Sequence, residues 1–250
     1  TPDDPDGVDL YSDAAVTLGG QPFLYKQVVD QDNKPIEWSW RASRYADYLI
    51  AHHLKTKNID YKKAYYVDIP MVKNHTQLRE YQYADIVRGA SQRYDIPEDL
   101  IYSIIRTESS FNPFAVSSAN AYGLMQVVPT SAGRDVTKIY LGKEQLLSPE
   151  ILFNPEFNID IGTAYLNILD TRYLKRVDNK QSRMYLSIIS YNGGIGAAAK
   201  VINGNRNSKL SSLAVNANKL TPDEIYHKLS KGHPAKEARD YLKKVNDKRE

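Results

Sequence analysis

The chain has 250 residues, 42% hydrophobic and 25% charged, the balance of a globular protein with one large domain or a compact domain and a smaller companion. Its 33 Lys and Arg against 30 Asp and Glu leave a net charge of +3, and no nucleic-acid motif accompanies that mild excess. No window approaches the ~18 apolar residues of a membrane-spanning helix, and with no cysteine there is neither a disulfide nor a thiol nucleophile.

The opening run Thr1–Gly7 reads as a flexible lead or an arbitrary cut, and as no basic-then-apolar signal opens it, any export signal or anchor is expected to have been removed or not included. Pro22–Asp30 and Lys62–Val72 are rich in β-branched and aromatic residues and read as strands, with turn chemistry at Asp32-Asn33-Lys34-Pro35 between them. Trp40–Leu54 carries its aromatic and apolar residues at helical spacing. Residues 1–75 are therefore expected to form a small accessory α/β region, and residues 76–250 a mainly α domain. In the second part, Tyr83, Ile86, Val87 and Ala90 form an apolar stripe, and Asp95–Asp99 reads as a helix entry with Pro97 in the first turn. Further helices are expected over Asn158–Tyr173, Arg183–Tyr191 and Ala235–Lys248, and Thr221-Pro222-Asp223-Glu224 is a capping box. The basic run from Lys228 to Arg249 reads as a solvated helix face, with weak attraction to an anionic polymer as the alternative.

Helix Glu98–Ser110 carries the residue of most interest. Leu100, Ile101, Ile104 and Ile105 define its buried stripe, and Glu108 falls on the same face, four residues beyond Ile104 and seven beyond Ile101. A carboxylate facing apolar packing is costly, and a raised pKa relieves the cost. Such a protonated glutamic acid can give its proton to a glycosidic oxygen. Periodicity alone leaves a second reading open, in which Glu108 tilts into solvent or pairs with Arg106.

Glu108-Ser109-Ser110-Phe111-Asn112-Pro113, then Ala115-Val116-Ser117, Gly123-Leu124-Met125-Gln126 and Pro129, resembles the catalytic signature of lytic transglycosylases of the goose-type-lysozyme-like superfamily. Asn154-Pro155, Asn158-Ile159, Gly162–Leu166 and Ser190-Tyr191-Asn192-Gly193-Gly194 continue the resemblance, with serine at 190 where the family more often has alanine. The match runs from about residue 77 to 246 in the family's order. It implies a lysozyme-like catalytic domain that cleaves the MurNAc-GlcNAc β-1,4 bond of peptidoglycan and leaves 1,6-anhydromuramic acid ends.

By that resemblance Glu108 is the single acid/base, and Ser117, Met125, Gln126, Tyr191, Asn192 and Tyr241 are candidate substrate-binding residues. Each has a plainer alternative: a local turn for Ser117, packing for Met125 and Tyr241, backbone satisfaction for Gln126. Ser109 reads equally as local structure, and Ala119 replaces a serine of some relatives. The resemblance also implies a periplasmic enzyme acting on glycan strands, with cell-wall proteins as possible partners and a membrane-bound subfamily among its relatives. The lipid-anchor cysteine is absent from this sequence. A hydrolytic lysozyme-like enzyme and a non-catalytic peptidoglycan-binding module are the competing functions. No metal or other cofactor is expected, since no histidine spacing suits a metal and no phosphate loop or GxSxG nucleophile occurs.

Overall fold

A computed structural model describes residues 24–204 and 207–249. The expected lead at Thr1–Gly7 and the first residues of the expected strand, Pro22 and Phe23, lie outside the described residues. The chain forms two compact units, one ending at Gln82 and the other spanning Tyr83–Glu250.

In the first unit, helix α1 (Ser39–His53) precedes an antiparallel hairpin of β1 (Lys55–Ile59) and β2 (Lys62–Tyr66), and α2 (His75–Gln82) ends the unit. Its buried cluster is small: Val28, Tyr45 and Leu49, with Ile36, Tyr48 and Val67 against them. The expected strand at Pro22–Asp30 is not one; residues 24–27 turn, and only Val28 and Val29 make isolated bridges, to Met71 and Pro35. The reason is a buried carboxylate. Asp30 accepts hydrogen bonds from the N–H groups of Asp32 and Lys34 at 2.9 Å each, curling the backbone into the Asp30–Pro35 turn. Its other oxygen takes the guanidinium groups of Arg41 at 2.6 Å and Arg44 at 3.2 Å. Burial by itself would raise the Asp30 pKa, but the Lys34 N–H, Arg41 and the Asp32 N–H outweigh it and hold the carboxyl at about 2.

Because this pKa is depressed on folding, its stabilisation is fully present above the unfolded value near 3.8 and is lost as the pH falls towards 2. Asp30→Asn should unfold the first unit selectively at neutral pH. It should also flatten the unit's acid transition between pH 4 and 2, which thermal melts followed by circular dichroism would register.

The second unit is all helix, with loops that carry the site. Its elements are α3 (Ala84–Tyr94), α4 (Glu98–Glu108), α5 (Arg134–Tyr140), α6 (Pro149–Phe153), α7 (Pro155–Ile168), α8 (Lys180–Gly193), α9 (Ile195–Ile202), α10 (Leu210–Ala217), α11 (Pro222–Gly232) and α12 (Lys236–Asp247). Wide π turns at Pro129–Gly133 and Leu169–Tyr173 lead into α5 and out of α7. Helix α7 is apolar on nearly every side and buries ten of its 14 residues, so it sits at the centre of the core, packed by α3, α5, α6 and α8. Its start is fixed by Pro155 in the first turn and by Asn154, whose side chain accepts from the N–H groups of Glu156 and Phe157. The capping box at Thr221–Glu224 forms in full. Helix α12 buries Ala238, Tyr241, Leu242 and Val245, a 3–4 residue stripe laid against α4 and α8, and leaves Lys243 and Lys244 in solvent. Its last basic residues differ from that expected solvated face: Lys248 donates to the Thr107 hydroxyl at 3.3 Å and Arg249 pairs with Asp99 at 2.6 Å, both on α4.

Candidate active site

Glu108 is the last residue of α4, held at the edge of a core in which Ile101, Ile104 and Ile105 are wholly buried. No Lys or Arg pairs with it among the described residues, so the reading that coupled it to Arg106 is not what the structure has. Loss of hydration raises its pKa, a nearby Tyr241 hydroxyl partly reverses the shift, the charge of Glu237 adds to it, and the result is about 7. The backbone then turns sharply. Ser110 and Phe111 both adopt left-handed conformations, with φ of 51° and 62°, so that the fully buried Phe111 ring can lie against Tyr83. Two consecutive non-glycine residues in this region store strain immediately beside the acid.

Ser109 ties this turn to the next loop. Its hydroxyl lies 2.8 Å from the Leu124 carbonyl and 3.1 Å from that of Ile105. The loop of residues 115–127 is folded on itself by short bridges from Tyr122 to Val116 and Val127. Within it the Ser117 oxygen accepts from the N–H groups of Ala119 at 3.2 Å and Ala121 at 3.1 Å. That occupies its acceptor positions locally and leaves its own hydrogen to donate outward. Gln126, at φ 49°, directs both amide hydrogens inward, to the Ala115 and Gly123 carbonyls at 3.0 Å each. Only its side-chain oxygen remains for a ligand, as an acceptor.

Met125 is wholly buried, with its side chain packed where Gly162 has no Cβ to obstruct it. What it offers is backbone: its carbonyl accepts the Tyr191 hydroxyl at 2.8 Å, and its N–H is held at 2.7 Å by Asn158. Tyr191, near the end of α8, lies 5.7 Å from the Tyr165 ring, and burial together with the Glu108 charge pushes its pKa well up. Tyr241 responds in the same way, to burial, Glu108 and then Tyr191. Among the described residues its hydroxyl has no partner at ordinary hydrogen-bond geometry, and it acts on the Glu108 carboxyl as a nearby donor. Glu108, Tyr191 and Tyr241 thus meet at one place from α4, α8 and α12. Asn192 is half-buried beside Tyr191, ahead of the Gly193-Gly194 helix stop.

The residue that sequence reasoning gave no role is Asn158. It is 1% exposed and makes three bonds, taking the Met125 N–H and donating to the Tyr122 carbonyl at 2.8 Å and the Leu152 carbonyl at 2.7 Å. An asparagine on the most apolar helix of the unit was the available signal, because such a residue must find buried partners.

The transglycosylase SLT domain model matches residues 85–213, and the model for the N-terminal domain of membrane-bound lytic murein transglycosylase C matches residues 1–82. Membrane-bound lytic murein transglycosylases C of two Klebsiella pneumoniae strains are 46% identical over 245 residues, 98% of this chain and 67% of theirs. The chain belongs to the lytic murein transglycosylase family. The 70 kDa soluble lytic transglycosylase of Escherichia coli superposes on 67% of this chain with a TM-score of 0.50 and 26% identity. The complex of the 70 kDa soluble enzyme with bulgecin A superposes on 70% of it, with 0.51 and 25%. The chain spans only about a quarter of those longer soluble proteins, 23% and 25%. The lysozyme-like mainly α fold expected of the transglycosylase is what those superpositions show.

One residue of the family motif carries an energetic cost here. Ser190 is wholly buried and its hydroxyl has no partner among the described residues, and the buried Ser187 hydroxyl one turn earlier also lacks one there. Restoring the apolar residue by Ser190→Ala should stabilise the transglycosylase by about 1 kcal/mol, the cost of an unsatisfied buried hydroxyl. A denaturant midpoint that falls instead would mean that the hydroxyl is satisfied.

Proposed function

We propose that Glu108 is the only acid and base in the reaction of this peptidoglycan-cleaving lytic transglycosylase. The observation that carries the reading is a carboxyl with a pKa of about 7, set by burial, where the half-buried Tyr191 and the buried Tyr241 meet. Near neutral pH a large fraction of such groups is protonated, and the proton can be given up to an oxygen that develops charge.

In the proposed sequence Glu108 donates its proton to the bridging oxygen between MurNAc and GlcNAc, and the bond from that oxygen to C1 breaks. The MurNAc acetamido oxygen supports the positive charge at C1. The carboxylate of Glu108 then takes the proton of the C6 hydroxyl, whose oxygen bonds to C1 and closes a 1,6-anhydro ring. No water enters, and one carboxylate serves both steps, where a two-carboxylate glycosidase would need a partner. The other carboxylate that Glu108 senses belongs to Glu237, which is exposed on α12. Around this acid, Ser117 donates and Gln126 accepts toward sugar substituents, and Tyr191 and Asn192 flank the reacting ring. Met125 contributes through its backbone by holding Tyr191, and Tyr241 moderates the acidity of Glu108. The catalytic part is the second unit, Tyr83–Glu250, and the accessory part the first, which keeps α2 and ends at Gln82 where the sequence placed the boundary at 75/76. The glycan strands of murein in the periplasm are the partner, reached from an outer-membrane lipid anchor in the longer protein.

Mass analysis of muropeptides released from purified sacculi tests this directly. The expected products are one water lighter than hydrolytic ones, with no normal reducing end. Hydrolytic masses would move the assignment to a lysozyme.

A further inference from the structure

The β1–β2 hairpin of the first unit buries neither of its faces. Every residue of β1 and all but Ala64 of β2 are exposed. A two-stranded ribbon without packing is marginal in water, so burial does not reward the aromatic residues placed on it. Three tyrosines stand there nevertheless, Tyr61 fully exposed, Tyr65 at 61% and Tyr66 at 37%.

The tip is the more telling feature. Asp60 and Tyr61 have φ of 46° and 63°, the two left-handed central positions of a two-residue hairpin turn that glycine or asparagine suits. A bulky residue there is strained, and the fully exposed Tyr61 side chain gains no burial from it among the described residues. The lysines follow the same pattern. The pairings Lys55↔Tyr66, Lys57↔Ala64 and Ile59↔Lys62 share one face, and Thr56↔Tyr65 and Asn58↔Lys63 share the other. The Lys57 ammonium lies 5.3 Å from the Tyr66 ring on the first face, and the Lys63 ammonium lies 5.3 Å from the Tyr65 ring on the second. Among the described residues, Lys55 alone of the four hairpin lysines is paired with an acid, Asp68. Each face therefore presents a flat ring beside an ammonium.

We propose that this hairpin is a non-catalytic murein-binding site, with tyrosine faces taking sugar rings and Lys57, Lys62 and Lys63 taking stem-peptide carboxylates. The proposal rests on the family's murein substrate. Aromatic faces suit sugar rings and ammonium groups suit carboxylates, so the pairing complements a polymer that carries both. A planar anionic membrane would be met by one face only, and the Asp60 carboxylate at the tip would oppose it; a meshwork of strands can be gripped by both faces.

The test uses the full chain carrying Glu108→Gln, so that sacculi are bound without being consumed. Tyr61→Gly, and separately Lys57→Gln with Lys63→Gln, are compared by co-sedimentation with sacculi and with anionic phospholipid vesicles. The expected result is a several-fold loss of sacculus binding in both variants, and Tyr61→Gly should melt no lower than its parent because glycine relieves the turn. With Glu108 intact, the same hairpin variants should cleave short soluble glycan fragments at the parental rate. Unchanged sacculus binding overturns the proposal, as does a loss confined to vesicles, which would assign the hairpin to the membrane. Failure of the Glu108-intact chain to release anything from sacculi would instead count against the catalytic reading and leave the binding result to be judged on its own.

Discussion

Glu108→Gln should remove murein cleavage and at the same time make the protein more stable. General acid and base assistance from one group contributes on the order of 10² to 10⁴ in rate per role, and in the proposed reaction a single residue holds both roles. Glutamine keeps the shape and cannot donate a proton, so product release from sacculi should fall by at least about 10³. The stability change follows from the same pKa. The carboxyl titrates near 7 when folded against 4.5 for an unburied glutamate. A raised carboxyl pKa means that the folded state prefers the proton, so the group costs nothing below pH 4.5, costs progressively more from 4.5 to 7, and costs its full amount above that. At about 1.4 kcal/mol for each pH unit, the full amount is roughly 3 kcal/mol at most. Urea unfolding should therefore show Glu108→Gln to be more stable than its parent at pH 8 and equal to it at pH 4. A parent that is as stable as the variant at pH 8 would mean that Glu108 is solvated, and the acid role would lose its physical basis. The same pKa sets the wild-type rate profile, which should fall as pH rises above about 7.

The second large effect is expected at the crossing of Asn158 and Gly123, where no reacting group is involved. Gly123 has φ 76°, and a Cβ there would come within 2.3 Å of both the Asn158 amide nitrogen and the Leu152 carbonyl oxygen. Backbone on one side and a fully bonded side chain on the other leave no room to yield. Asn158→Leu would fill the space yet strand the Met125 N–H and take the side-chain donor from the Leu152 carbonyl, while the Tyr122 carbonyl would keep the Val127 N–H. With each stranded group costing about 1–3 kcal/mol, the loss should be on the order of 3–5 kcal/mol, read as a lowered denaturant midpoint. Gly123→Ala should cost a similar order, since overpacking and left-handed strain act together. Activity should fall further than stability accounts for when both are measured at a temperature where the variants remain folded. The reason is that Met125, once released, no longer fixes the Tyr191 hydroxyl. Parental activity in a folded Asn158→Leu chain would show that the Tyr191 position does not depend on this brace.

Much of the fold was legible because its signals are local. The stripe of Leu100, Ile101, Ile104 and Ile105 predicted α4 and the face on which Glu108 lies, and Thr221–Glu224 predicted the start of α11. The limits were also physical. Pro97 stands one residue before α4 and not within its first turn, because its extended ψ of 135° makes it the cap. The strand pattern at residues 24–30 lost to the Asp30 turn, whose arginine partners come from α1 and are invisible to a local pattern. The hairpin's first strand, Lys55–Ile59, was missed because its residues are polar and neither face is buried, so no alternation marks it. Helices α9 and α10 were passed over among small residues and short spans, although core burial of Ala198, Ala199 and Leu213 holds them.

By itself the sequence determined the helical character of the second unit, the face on which Glu108 lies, and the ordered motifs that carry the family resemblance, since each depends on spacing within one element. Tertiary structure decided the rest. The pKa of Glu108 depends on water excluded by neighbouring elements and on Tyr241 from a helix more than a hundred residues away. The inward amide of Gln126, the backbone role of Met125 and the brace of Asn158 are settled by which buried groups need partners, and that demand exists only once distant segments have met.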